Sequence, residues 1–231
     1  MSIIGKKHTN AKEKLATANI TTTKSALDFV VKNAHTKFDE SVDVSVVLGI
    51  DASKGEQTVR GSVLLPHGIG KKVRVVVFAK GDYEEQARKA GADFVGVDDL
   101  IAKIEGGWSD FDAAVATPDL MGAVGKVAKI LGPRGLLPNK KVGTVTYDIT
   151  DIVSDLKKGR VSFRNDKGGI VHAPFGKVSF GTDKLFDNLA VLIKSIQTSK
   201  PASSKGKFIK KVSIASTMGV GITINPDEIA S

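Results

Sequence analysis

The sequence predicts a fold of mixed α/β and α+β class with two domains, in which a discontinuous α+β domain carries an inserted three-layer α/β domain. Three observations lead to this prediction. Residues 41–50 alternate between apolar and polar side chains, which is typical of a half-buried strand. Residues 73–78 are almost continuously apolar, as in a strand covered on both faces. Beyond residue 159 the alternating pattern returns, so we expect the two ends of the chain to share one domain.

The first part of the α+β domain, residues 1–67, is predicted to begin with two helices. Apolar side chains repeat at helical spacing in the second helix, and Thr22 or Thr23 is suited to cap it. Two strands follow, and because a polar loop leads from one to the next, we expect them to form an antiparallel pair. The predicted helices cover residues 10–18 and 22–36, and the predicted strands cover 41–50 and 58–65.

The inserted domain, residues 68–159, is predicted from an alternation of strands and helices. Such alternation favours a mainly parallel sheet with helices on its faces. The predicted strands cover residues 73–78, 92–95 and 112–116, and the predicted helices cover 82–91, 98–105 and 118–131.

Residues 160–231 are predicted to complete the α+β domain. We expect the chain crossings at 66–70 and near residue 159 to act as a hinge. A single continuous domain is the alternative. The predicted strands cover residues 160–164, 170–175 and 208–217, and a helix is predicted over 182–199.

The composition favours an anionic partner. The chain has 231 residues and a formal net charge of +9, which attracts polyanions such as nucleic acids, although a basic enzyme stays open on charge alone. It has no cysteine, which excludes disulfides, cysteine zinc sites and thiol catalysis. The sequence begins without the apolar core of a signal peptide and holds no apolar run of membrane-spanning length. We therefore predict a soluble cytoplasmic protein that does not bind membranes.

Catalytic motifs receive little support from the sequence. Residues 68–72 resemble a phosphate-binding loop, but the pattern requires glycine where Leu65 stands and serine or threonine where Lys72 stands. We therefore predict no catalytic residue, no cofactor and no metal site. The histidines are too widely scattered in sequence to indicate a metal site by spacing: His8, His35, His67 and His172.

Two stretches without acidic residues are candidate RNA-binding segments. One lies between Asp187 and Asp227, is rich in lysine, and contains Ser216, Thr217, Met218 and Gly219, whose hydroxyl, thioether and glycine groups can approach a partner closely. The second covers residues 120–147 and includes a Gly/Pro loop that either binds phosphates or is a rigid connector. Its cations are Lys126, Lys129, Arg134, Lys140 and Lys141.

Two further side chains are ambiguous in the sequence. Arg164 is suited to bind phosphate or stack on a base, or it lies on an ordinary solvent-facing strand. Phe38 is suited to stack on an exposed base, or it packs in the core. We expect residues 216–219 to lie beside Phe38 and Arg164 in one domain.

Several segments, in this order, closely resemble the ribosomal protein L1 family of bacteria. The resemblance extends over nearly the whole chain, and its specificity comes from the combination of segments. Many relatives have proline where this chain has Lys140 and Val220. The segments are KFDESV at 37–42, QTVRG at 57–61, LPHG at 65–68, GPRGLLPN at 132–139, FRNDK at 163–167 and STMG at 216–219.

The resemblance implies a two-domain structural protein, monomeric off the ribosome, that binds the large-subunit rRNA stalk. It further implies help in releasing deacylated tRNA from the exit site, and repression of translation through the protein's own mRNA. A general nucleic-acid-binding protein and a nucleotide-dependent enzyme are the alternatives. The implied RNA-binding residues are Lys37, Phe38, Arg60, Arg164, Ser216, Thr217, Met218 and Gly219, and the basic residues at 126–141 are candidates for contact with tRNA.

Overall fold

The computed structural model of the protein describes residues 5–18 and 20–229. It confirms the predicted mixture of helices and sheets. The helices are α1 Lys6–Thr17, α2 Thr23–Asn33, α3 Asp82–Lys89, α4 Asp98–Glu105, α5 Met121–Val124, α6 Ala128–Leu131, α7 Ile149–Lys158, α8 Gly181–Thr198 and α9 Pro226–Ile229. The strands are β1 Ser41–Leu48, β2 Arg60–Leu64, β3 Val75–Phe78, β4 Phe94–Gly96, β5 Ala113–Ala116, β6 Arg160–Arg164, β7 Ile170–Lys177, β8 Ile209–Ser216 and β9 Ile222–Ile224.

The chain forms two compact units. The discontinuous unit runs up to Gly70 and resumes at Val161, and the inserted unit is Lys71–Arg160. Each unit has its own buried apolar side chains: those of the discontinuous unit form one cluster, and those of the inserted unit form two.

The main sheet of the discontinuous unit has the strand order β7-β1-β8-β9, with β1 antiparallel to both of its neighbours. The predicted pairing of residues 41–50 with 58–65 is therefore wrong. β2 pairs instead with β6, in a separate two-stranded sheet. The three longest strands, β1, β7 and β8, have eight residues each and pair with one another, whereas β2 and β6 have five residues each.

One face of the main sheet is covered by α2 and α8. Alternate residues of β1, including Val42, Val44 and Val46, are fully buried on that face, as the period-two pattern predicts. Thr22 caps α2 as expected: its hydroxyl accepts a hydrogen bond from the Ser25 N–H. The helix ends at Asn33 rather than at the predicted residue 36.

The inserted unit contains a parallel sheet of strand order β4-β3-β5, which confirms the predicted parallel pairing. Its central strand is buried on both faces, with Val76 and Phe78 packed among one apolar cluster and Val75 and Val77 among the other. Helix α4 and residues 121–131 supply the first cluster, and α3 and α7 supply the second.

The continuous helix predicted over 118–131 is not formed. Pro118–Leu120 is a 3₁₀ turn that precedes α5, and Gly125–Val127 is a second 3₁₀ turn that separates α5 from α6. Gly122 and Gly125 account for part of this difference, because glycine lowers helix propensity by about 1 kcal/mol relative to alanine.

Candidate nucleic-acid interface

Two loops meet at the beginning of β1. Residues 34–40 precede the first residue of β1, and residues 216–219 begin at the last residue of β8. Because β1 and β8 are antiparallel and Val42 lies opposite Ser216, the two segments are neighbours in the fold. We call residues 34–40 and 216–219 the loop pair.

Glu40 joins the two halves of the loop pair. Its side chain is 1% exposed. Its Oε2 accepts a hydrogen bond from the Met218 N–H at 3.1 Å, and its Oε1 accepts from the N–H groups of His35 and Thr36 at 3.3 Å. The Ser216 hydroxyl also hydrogen-bonds to this carboxylate. Each carboxylate oxygen therefore holds one loop.

The hydrogen bonds keep the Glu40 carboxylate ionised. Burial alone would raise its pKa, but the hydrogen bonds from Ser216, Met218 and Thr36 outweigh burial and lower the pKa below its usual value. Glu40 does not stand out in the sequence, because an anion-binding surface is recognised by its cations. Its position directly before a strand was the sole signal in the sequence.

Thr217 makes a second link between the loops. Its hydroxyl accepts a hydrogen bond from the Ser41 N–H at 3.1 Å and donates one to the Ser41 carbonyl at 3.2 Å. The Thr217 N–H donates to the same carbonyl at 3.0 Å. Since a hydroxyl has one hydrogen and two lone pairs, it can offer an outside partner one further acceptor site but no donor.

The close approach that Gly219 permits is made within the protein. A Cβ atom at this position would lie 2.4 Å from the Ser216 Oγ. The φ angle of Gly219 is not positive, so the backbone itself does not require glycine. The residue is small because the Ser216 hydroxyl, which binds Glu40, occupies the adjacent space.

The loop pair exposes two large apolar side chains. Phe38 is 56% exposed and Met218 is 53% exposed, so the core position considered for Phe38 is wrong. The loop beneath Phe38 is ordered: the Thr36 hydroxyl donates to the Phe38 carbonyl at 2.8 Å, and the Asp39 carboxylate accepts hydrogen bonds from the N–H and hydroxyl groups of Ser179. Lys37, the neighbouring cation, is exposed.

The structure does not bring Arg60 and Arg164 to the loop pair. Val59 and Asn165, the residues flanking them, pair through hydrogen bonds of 2.8 and 3.0 Å. The turn after Arg164 leads into the start of β7, which pairs with the far end of β1. Burial, and secondly repulsion from Arg164, lowers the pKa of Arg60. The two guanidinium groups therefore form a cationic pair at the opposite end of β1 from the loop pair.

The five basic residues of the inserted unit that the sequence selects are all exposed: Lys126, Lys129, Arg134, Lys140 and Lys141. Within the part of the chain that the structure describes, they form no ion pair. Arg134 donates a hydrogen bond to the Ser109 hydroxyl, and the Asn139 side chain accepts one from the Lys141 N–H. We call residues 126–141 the basic segment.

The described residues provide neither a metal-binding cluster nor a helix that could cross a membrane. No group of three or more histidine, aspartate or glutamate side chains there is placed to hold a metal ion. No helix among them combines the length and the apolar character that crossing a membrane requires.

Ordered loops with exposed apolar side chains, together with exposed cations that have no acidic partner, are typical of a nucleic-acid-binding protein. The sequence model of the ribosomal protein L1p/L10e family matches residues 30–220, so the chain belongs to that family. It is also similar to the large ribosomal subunit protein uL1 of Bdellovibrio bacteriovorus, with 54% identity over 227 residues that cover 98% of this chain and 97% of that protein.

Family membership confirms two predictions from the sequence. The resemblance to the ribosomal protein L1 family is confirmed, and the protein is a structural ribosomal protein rather than an enzyme. The alternative of a nucleotide-dependent enzyme is therefore wrong.

Proposed function

We propose that the protein binds rRNA in the stalk of the large ribosomal subunit, in the cytoplasm, and that the loop pair makes the main contact. The observation that carries this proposal is the exposure of Phe38 and Met218 on two loops that are tied together by Glu40. Large apolar side chains that are exposed on neighbouring loops mark an interaction site, whereas isolated ones do not. Membership of the family supports rRNA as the partner at this site.

The chemistry of the loop pair suits folded RNA. An aromatic ring such as Phe38 stacks on an unpaired base, and the thioether of Met218 packs against a base or sugar. The free acceptor site on Thr217 suits the ribose 2′-hydroxyl, which can donate and which distinguishes RNA from DNA. Lys37 lies next to Phe38 and is suited to a phosphate. Such contacts recognise shape and exposed bases rather than the deep major groove of duplex RNA.

A binding measurement tests this role. The double variant Phe38→Ala/Met218→Ala is expected to lose at least about tenfold in affinity for stalk RNA in filter binding, since stacking contributes about 1–3 kcal/mol per base. The matched control is Val191→Ala, which removes apolar surface from an exposed position on α8. Equal affinities of the double variant and the control would refute the role of the loop pair.

Competition with DNA separates this proposal from general nucleic-acid binding. A general binder holds duplex DNA and stalk RNA with similar affinity at matched salt, because phosphate contacts dominate. We expect a strong preference for the folded RNA, and co-sedimentation of the monomeric protein with large subunits.

We further propose that the basic segment contacts the exit-site tRNA and assists its release. Among the described residues, the exposed cations of the basic segment have no acidic partner, which supports this role. The variant Lys126→Glu/Lys129→Glu is expected to slow release of deacylated tRNA from reconstituted ribosomes while stalk affinity is retained. The charge-matched control, Lys89→Glu/Lys103→Glu, changes exposed lysines elsewhere in the same unit and should release tRNA at the normal rate.

Repression of the protein's own mRNA is proposed to use the loop pair as well. A stalk-like element in that mRNA would present the same exposed bases to Phe38 and Met218. A reporter behind the protein's own leader should escape repression by Phe38→Ala/Met218→Ala and remain repressed by Lys126→Glu/Lys129→Glu. The opposite pattern would assign repression to the inserted unit.

A further inference from the structure

We propose that Glu40 is a positioning residue for RNA binding, whose buried carboxylate sets the placement of Phe38 relative to Met218. The inference rests on the proposed function of the loop pair. Glu40 itself is 1% exposed and is not available to touch RNA. It acts through the main-chain groups that it holds on both loops.

The geometry requires a carboxylate at this position. One oxygen accepts from His35 and Thr36, and the other accepts from Met218. A buried charge is tolerated when such donors surround it. Glutamine has a single acceptor oxygen, so its NH₂ group would face N–H donors on one of the two loops. That loop would lose its anchor although the side chain keeps its size.

The anchor is local to the loop pair. The donors to Glu40 come from the two loops themselves, residues 35–36 and 216–218, and not from the helices that cover the core. Strand β1 remains paired on both sides through β7 and β8. Loss of the carboxylate is therefore expected to loosen the loops more than the sheet, and to lower RNA affinity more than thermal stability.

The full-length Glu40→Gln variant tests the inference with stalk RNA in filter binding. We expect a loss of affinity of about tenfold or more, comparable with the loss of a stacked base. The control is Val46→Ala, which truncates a fully buried side chain farther along the same strand and touches neither loop. The control should lower the melting temperature at least as much as Glu40→Gln while its affinity stays within about twofold of the unmodified protein.

A double-mutant cycle separates positioning from a general loss of stability. If Glu40 acts by placing Met218, the effect of Glu40→Gln on affinity must shrink in a Met218→Ala background. Additive losses, or an affinity loss in Val46→Ala equal to that in Glu40→Gln, would overturn the inference.

Three further outcomes are decisive. If Glu40→Gln does not fold, Ser216→Ala, which removes one donor and leaves the charge, must show a smaller loss of affinity in the same direction, and unchanged affinity would overturn the inference. If Phe38→Ala/Met218→Ala binds RNA normally, the proposed function fails. If that double variant loses affinity but Glu40→Gln does not, the positioning role alone fails.

Discussion

Gly219→Ala tests the contact that links residues 216–219 to the buried carboxylate. The added methyl carbon would lie 2.4 Å from the Ser216 Oγ, well inside normal contact distance. The φ angle of Gly219 is one that alanine adopts freely, so backbone strain adds nothing. The whole effect is therefore expected to come from the Ser216 hydroxyl.

The expected loss of stability in Gly219→Ala follows from the hydrogen bond that must break. The Ser216 side chain is 5% exposed and binds the ionised Glu40 carboxylate, and rotating it away removes a charge-assisted hydrogen bond inside the protein. Hydrogen bonds to charged groups contribute about 1.5–3 kcal/mol. We expect Gly219→Ala to lower the free energy of unfolding by about 2 kcal/mol.

Urea unfolding of the single and double variants provides the assay. In Ser216→Ala/Gly219→Ala the clash disappears, because the next atom facing the new methyl group, the Cβ of residue 216, is 3.5 Å away. The double variant should be no less stable than Ser216→Ala alone. Additive losses would refute the reasoning. If the double variant binds RNA more weakly than Ser216→Ala alone, Gly219 also admits the RNA itself.

Other changes have equally definite outcomes. Thr217→Val should lower the unfolding free energy by about 1 kcal/mol and weaken RNA binding. Thr217→Ser keeps the hydroxyl and should retain both the stability and the RNA affinity of the unmodified protein. The hydrogen bond from Lys71 is the main cause that lowers the Asp112 pKa from 3.8 to about 2, against the opposing effect of burial. Because the folded pKa is the lower one, this contribution of up to about 2 kcal/mol is present above pH 4 and is lost as the pH falls towards 2. Asp112→Asn should remove that acid-dependent part of the unfolding free energy, measured by urea titration at several pH values. Arg164→Gln should relieve repulsion of Arg60 and leave stability unchanged or raised by about 0.5 kcal/mol, while reducing the salt dependence of RNA binding if Arg164 contacts phosphate.

The sequence predicts the positions of the helices and strands better than it predicts which strands pair with each other. Alternation at residues 41–50 indicates a strand with one buried face, and β1 Ser41–Leu48 lies within that range. The apolar spacing of 182–199 likewise predicts α8 Gly181–Thr198. The pattern shows which face is buried but not which strand lies alongside. Both partners of β1, which are β7 and β8, follow the inserted unit in the sequence, and so the expected pairing with the nearer residues 58–65 was wrong.

The candidate site shows the same limit. Phe38 and Met218 could be selected from the sequence through the family resemblance, and both are exposed in the structure. Glu40 could not be selected, because its role depends on the hydrogen-bond donors around its carboxylate. Folding brings these donors from distant parts of the sequence, such as Met218. Gly219 was selected, but for contact with RNA, whereas its smallness is already required by Ser216.

The distance between the loop pair and the cationic pair of Arg60 and Arg164 sets a minimum size for a ligand that binds both. Phe38 and Met218 lie at the start of β1, and Arg60 and Arg164 lie towards its other end. A strand rises about 3.3 Å per residue, so the two positions are separated by roughly 20 Å along β1. A mononucleotide cannot reach both ends, whereas several nucleotides of a folded RNA can. If both ends serve one ligand, that ligand is therefore an extended polyanion, and the ordered loops at one end can recognise bases while the arginines at the other contact its backbone.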